Sequence, residues 1–237
     1  MSTYVLIHGS WHGAWCWYKI IPLLEQAGHK AIALDLPGHG RDWTAARNIS
    51  LQSYVDSVCK ILDAQPEPVI LVGHSRGGIV ISQTAELRPE KIKTLVYLAA
   101  YLIPNGEAML PTALSDTESL IVSNMVVNQA QGYHMLKQEA FKAGLYADCS
   151  DEDVALATVL LTPEPNGPVA TPLKLSDENF GRVVRVYIET LQDKGMTPTL
   201  QKKMYTAAPC QKIISMETSH SPFLSAPEKL VSHLTAL

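Results

Sequence analysis

Six short runs rich in β-branched and aliphatic residues punctuate the chain: YVLI (4–7), AIAL (31–34), VILV (69–72), TLVYL (94–98), VVRVYI (183–188) and KIIS (212–215). Most are near-continuous rather than alternating, so they read as strands covered on both faces, which requires a parallel sheet between two helical layers. Helical periodicity fills the intervals at roughly 18–26, 51–64, 78–87 and 227–237. For the last of these, Ser225 stands three residues before Glu228 and Pro227 suits a first turn, which predicts a capping box. With 237 residues and 46% apolar content the chain can bury one sizeable α/β core.

The alternation lapses for about 80 residues, where helical periodicity and turn clusters replace any convincing strand. Residues 1–101 and 181–237 are therefore expected to form the α/β core, a mostly parallel six-stranded sheet with helices on both faces, and 102–180 a helical cap inserted over the strand ends. SDED at 150–153 fits a capping box opening a helix, and TPEPNGP at 162–168 ends it.

The stretch VGHSRGG (72–78) is the most unusual in the sequence. Gly73-His74-Ser75-Arg76-Gly77 matches G-x-S-x-G after a strand and before a helix, the setting of a nucleophile elbow. Ser75 must occupy a tight, strained turn with its hydroxyl above the sheet, and side chains at Gly73 or Gly77 would strike neighbouring backbone. The helix that follows points unpaired N–H groups at any negative charge forming there.

A serine hydroxyl needs a base, and that base an orienting carboxylate. In a parallel sheet such groups come from loops at the C-terminal strand ends, in the order serine, acid, histidine for this kind of elbow. His220 follows the last strand and precedes the last helix. His29, His134 and His233 fall before a strand, in the cap and inside a helix, and His74 would project away from so sharp a turn. For the acid, Asp193 in LQDKG is preferred over Glu189 because it lies beyond the strand end, where a side chain can swing towards the site. The oxyanion donors are expected to be the backbone N–H groups of Arg76 and Ser10, the latter in the loop HGSWHG (8–13). His8 and His12, four apart, would need a helix to share a metal, and the segment reads as a loop without a third ligand.

With these residues placed, the sequence resembles the α/β-hydrolase superfamily. Within it the chain is similar to the branch of plant methyl esterases and hydroxynitrile lyases, together with related bacterial esterases. The resemblance spans nearly the whole chain, through LIHGSWHGAWCWYKIIPLLEQAGHKAIALDLPGHG (6–40), GHSRGG (73–78), LYADCSDEDVALAT (145–158), YIETLQDKGMTP (187–198) and SHSPFLSAPEKL (219–230). It implies Ser75 as nucleophile, His220 as base, Asp193 as acid, and the Ser10 and Arg76 amides as oxyanion donors. Lyases of the branch carry threonine directly after the first-loop histidine and lysine directly after the catalytic histidine; here those positions hold Gly9 and Ser221. Arg76 replaces the usual plant leucine, and its guanidinium stays open between a local or solvated pairing, a cap carboxylate and a substrate acid.

The expectation is a serine carboxylic-ester hydrolase for small to medium apolar esters, methyl esters among them, using neither metal nor cofactor. Hydroxynitrile-lyase chemistry and a slow-turnover small-ligand receptor are the alternatives. Trp11, Tyr101 and Met125 are the candidate substrate contacts. A net charge of −4, with both signs interspersed, argues for a small-molecule partner and against nucleic acid or an anionic membrane. A homodimer is left open by the sequence. Neither a leader-like N-terminus nor an apolar stretch of about 20 residues is found, so a cytoplasmic protein is expected. Cys16, Cys59, Cys149 and Cys210 are scattered, as unlinked thiols are.

Overall fold

The computed structural model describes all residues, 1–237. Six parallel strands form the central sheet in the order β2-β1-β3-β4-β8-β9: β1 (Thr3–Ile7), β2 (Lys30–Ala33), β3 (Val69–His74), β4 (Ile92–Leu98), β8 (Arg185–Thr190) and β9 (Lys212–Met216). Successive side chains on a strand point to opposite faces, and both faces are covered. Val5, Ile7, Val69, Leu71, Leu95 and Tyr97 enter one apolar core, under the helices Leu51–Asp63 and Gly77–Leu87. Tyr4, Leu6, Ile70, Val72, Val96 and Leu98 enter the other, under Ile20–Gln26 and Pro227–Thr235. This double burial is why the strands read as unbroken apolar runs.

The chain moves from β1 outward to β2, then crosses back to place β3 on the other side of β1. The C-terminal ends of β1 and β3 therefore meet at a topological switch point, where open parallel sheets bind ligands. The loops after β1, β3, β8 and β9 all emerge along this edge.

Residues 102–180 contain the helix Asp151–Leu160 but are not purely helical. They also carry a three-stranded antiparallel sheet of β5 (Met125–Asn128), β6 (Tyr133–Leu136) and β7 (Glu164–Pro165). These strands have four, four and two residues with mixed burial, too short and too irregular to leave a sequence signal. Ser150 caps its helix as expected, its hydroxyl accepting from the Asp153 amide. Ser225 does not cap the final helix: Pro222–Ser225 is a helical turn of its own, Ala226 takes the N-cap position, and no side chain caps it. All four cysteines are free. No helix is long and apolar enough to cross a membrane.

Candidate active site

Ser75 follows β3 with φ +51°, a left-handed conformation that a serine adopts only when its surroundings impose it. Its N–H donates to the Leu98 carbonyl at the end of β4, and its carbonyl accepts from the amides of Gly78 and Tyr101. Glycine is required around it for lack of space. A Cβ at Gly73 would lie 2.8 Å from the Gly77 carbonyl oxygen, and one at Gly77 3.0 Å from that of Ile7. One at Gly78 would run into the Tyr101 backbone. The elbow is thus wedged between β1 and β4, with the helix Gly77–Leu87 starting directly behind it.

The loop after β8 brings Asp193 to the loop after β9, where Asp193 Oδ2 accepts from His220 Nδ1 at 2.7 Å. Both side chains are buried. The carboxylate is held from several sides: Gly195 and Met196 amides donate to Oδ1 at 2.7 and 2.9 Å, and Thr190 Oγ1 and Gln201 Nε2 to Oδ2 at 3.0 and 3.3 Å. A carboxylate with this many donors is fixed in place, and as an acceptor it sets the His220 tautomer with hydrogen on Nδ1, leaving Nε2 to accept. Glu189 lies on β8 and is spent on Tyr205 and Ser215. His74 points away from the serine hydroxyl, donating from Nε2 to the His220 carbonyl at 2.9 Å, and so ties the β9 loop to the elbow.

The HGSWHG loop after β1 runs against this turn. A Cβ on Gly9 would come within 2.9 Å of Ser75 Cβ and 2.8 Å of His74 Nδ1, so only glycine permits the approach. The amides of Ser10 and Arg76 donate to no protein group. Trp11 has φ +64°. Two buried histidines, His8 and His12, brace the loop as neutral rings. His8 accepts the Leu36 amide at Nε2 and donates from Nδ1 to the Gly9 carbonyl. His12 donates from Nδ1 to the Ser10 carbonyl at 2.7 Å and accepts from the Tyr146 hydroxyl at Nε2. Burial pushes the His8 and His74 imidazoles well below their ordinary range and His12 down to about 3. With their nitrogens committed to protein groups, His8 and His12 are not arranged as metal ligands, and no three His, Cys, Asp or Glu side chains gather in a geometry that could hold a metal.

Arg76 is completely buried, and of the three readings open to it the structure selects pairing with a carboxylate of the 102–180 segment. Its Nε lies 3.1 Å from Glu164 Oε1 and Nη2 3.4 Å from Oε2, its guanidinium sits 4.6 Å over the Tyr54 ring, and Nη2 also donates to the Gly9 carbonyl. Glu164, on β7, further accepts from the Trp11 amide, His39 Nε2 and the Tyr54 hydroxyl. Burial raises its carboxyl pKa, but the facing Arg76 and His39 outweigh this and hold it at about 2. Glu164, His39 and Tyr54 escape sequence reasoning. The one available signal is that an inward-facing cation at residue 76 demands a carboxylate, and the cap offers several.

Of the candidate substrate contacts, Trp11 is buried with its indole N–H donating to the His134 carbonyl, and the Tyr101 amide binds the Ser75 carbonyl. Met125 begins β5 opposite Leu136, half-buried in the three-stranded sheet. The five principal surface cavities, 290–450 Å³, are lined by other residues, so Ser75 and His220 do not stand in any of them.

The sequence matches the alpha/beta hydrolase family over residues 4–233. It is 34% identical to methylesterase 1 of Arabidopsis thaliana, covering 96% of this chain and 92% of that protein. It is 32% identical to an alpha-hydroxynitrile lyase of the same plant, covering 99% and 96%. A longer chloroplastic relative from that plant shares 39% identity over 97% of this chain, which spans 62% of the relative's length. Among solved structures, polyneuridine aldehyde esterase superposes with a TM-score of 0.90 at 28% identity, covering 100% of this chain and 98% of that one.

Proposed function

The chain belongs to the alpha/beta hydrolase family, and from that premise we propose that it is a serine ester hydrolase acting on small to medium apolar carboxylic esters, methyl esters among them. Ser75 Oγ attacks the ester carbonyl while His220 Nε2 takes its proton. Asp193 holds the imidazole and balances the charge it acquires. The Ser10 and Arg76 amides, which lack protein partners, receive the oxyanion in a site largely shielded from water, where such donors act most strongly. The tetrahedral adduct collapses as His220 returns the proton to the leaving alcohol, and water then cleaves the acyl-enzyme by the same steps in reverse. The observation that carries this reading is the 2.7 Å Asp193–His220 contact in a loop tied through His74 to the strained serine at the switch point.

The test is a panel of p-nitrophenyl and methyl esters of graded acyl length, run with the wild type and Ser75→Ala. Turnover should fall in the variant by about a thousandfold or more, together with loss of labelling by a fluorophosphonate. Near-normal hydrolysis by Ser75→Ala overturns the proposal.

A lyase relative raises cyanohydrin cleavage as a second reading. Two local features weigh against it. Gly9 leaves no room for the threonine of the lyases without displacing Ser75 or His74, and the buried Ser221 supplies no cation for a leaving cyanide, an ion costly to leave unpaired in a dry site. Cyanide release from a cyanohydrin at a rate matching ester turnover would reverse the choice.

A further inference from the structure

We propose that Arg76 and Glu164 are positioning residues that set the oxyanion-binding amide of Ser10, with the cap strand β7 serving as the anchor; this rests on the ester-hydrolase reading of the site. The geometry is specific. The Ser10 N–H belongs to the same planar peptide unit as the Gly9 carbonyl, so whatever fixes that oxygen fixes the direction of the hydrogen on the opposite side. Arg76 Nη2 donates to the Gly9 oxygen at 3.1 Å, and His8 Nδ1 donates to it at 2.8 Å. The following peptide unit is held at both ends too: His12 Nδ1 binds the Ser10 carbonyl, and Glu164 Oε2 accepts the Trp11 amide at 3.1 Å.

The donor residue is therefore clamped between a cation on the peptide before it and an anion on the peptide after it, and these two ions pair with each other. A charged donor on the Gly9 oxygen also polarises that peptide, making its N–H a stronger donor in a low-dielectric site. Arg76 consequently serves both amides. Its own N–H is one, and its side chain aims the other. Trp11 at φ +64° shows that the loop is held in a conformation it would not adopt unaided.

Removing one ion alone strands the other in the interior, so the informative variant is Arg76→Met/Glu164→Met, which removes both while keeping apolar bulk. Two readouts are taken on the full-length folded protein. Hydrogen–deuterium exchange of the peptide spanning residues 8–14 should accelerate at least tenfold. With p-nitrophenyl esters kcat should fall about 10- to 100-fold while KM stays within threefold, because an oxyanion donor acts on the transition state. A folded variant with exchange unchanged, with kcat within twofold of wild type, or with the loss confined to KM overturns the inference. Should the double variant not fold, Arg76→Lys takes its place, since a point charge cannot fork between Gly9 and Glu164, and the same outcomes decide. If the wild type hydrolyses no ester and resists fluorophosphonate, the ester-hydrolase reading fails by itself. Exchange at residues 8–14 then still decides whether the ion pair holds the loop.

Discussion

Mild acid should destabilise this protein through its buried histidines. His8, His12 and His74 are fully buried, and their hydrogen bonds require neutral rings: His8 and His12 each accept a hydrogen at Nε2, and His74 Nδ1 has no partner at all. Burial depresses all three folded-state pKa values, to about 3 for His12, whereas in the unfolded chain each returns to about 6.5. Because the folded pKa is the lower one, the stabilisation is complete above pH 6.5. It is lost as pH falls through 6.5 towards the folded values, since only the unfolded state then binds the protons. At pH 5 His12 alone favours unfolding by about 2 kcal/mol, and His8 and His74 act in the same direction. A domain holds only about 5–15 kcal/mol in all. Glu164, with its carboxyl held at about 2, contributes in the same direction only below about pH 4.5.

Urea unfolding at pH 7.5, 6.5, 5.5 and 5.0, followed by tryptophan fluorescence, measures this directly. The unfolding free energy should drop by at least about 2 kcal/mol between the ends of the series, with a slope of at least about one proton taken up at the acid end. His12→Gln should reduce that slope by about one proton while lowering stability at pH 7.5. A free energy that changes by less than about 1.5 kcal/mol from pH 7.5 to 5.0 refutes the reasoning, as does a slope indifferent to His12→Gln.

Two substitutions probe the elbow and the acid separately. Gly78→Ala places a methyl group against the Tyr101 backbone and should cost about 2 kcal/mol or more, read as a lowered urea midpoint; an unchanged midpoint would mean that the elbow is looser than its geometry implies. Asp193→Asn keeps the volume but removes the acceptor that fixes His220 with hydrogen on Nδ1, so kcat on a p-nitrophenyl ester should fall about 10³- to 10⁴-fold while the fold is retained. A loss below tenfold would show that Asp193 does not orient the base.

The legible part of this molecule is the part in which residue type and position in the alternating pattern coincide. The inner strands are visible because both faces are buried, with Val69 and Leu71 entering one core and Ile70 and Val72 the other, while the edge strands Lys30–Ala33 and Lys212–Met216 are more exposed. Strand ends are less distinct. The run read as 183–188 pairs as Arg185–Thr190, because Val183 leaves a 3₁₀ turn at Phe180–Arg182 before the strand begins. Ser75, Asp193 and His220 stand out as candidates because each sits just past a strand end, where few residue types compete. Ser225 misleads because a capping pattern cannot reveal that Pro222 starts a separate helical turn, which sends the serine hydroxyl to the Ser221 carbonyl. Glu164 cannot be found by any local rule. Its partners Arg76 and His39 lie 88 and 125 residues away, and its own setting, TPEP, looks like a turn.

The side-chain carboxylates of the 102–180 segment show a common logic that no single contact reveals. Asp116 accepts from the amide and hydroxyl of Thr197, in the loop that carries Asp193. Asp148 accepts from the amide and hydroxyl of Ser219, next to His220. Asp153 binds Lys19 and Tyr18, beyond the β1 loop. Glu164 binds Trp11 within that loop and Arg76 beside Ser75. The segment thus grips the strand-end loops around the candidate site, and it does so with carboxylates whose partners are backbone amides, hydroxyls or cations. These contacts are unequal in what they allow. The Lys19–Asp153 pair is part exposed, its lysine 29% accessible, so water can replace either partner at small cost. The Arg76–Glu164 pair is fully buried, and parting it would leave two bare ions in the interior. A movement of the segment that spares this pair therefore leaves β7 seated on the core and bends the segment elsewhere, so that the loop holding Ser10 keeps its place.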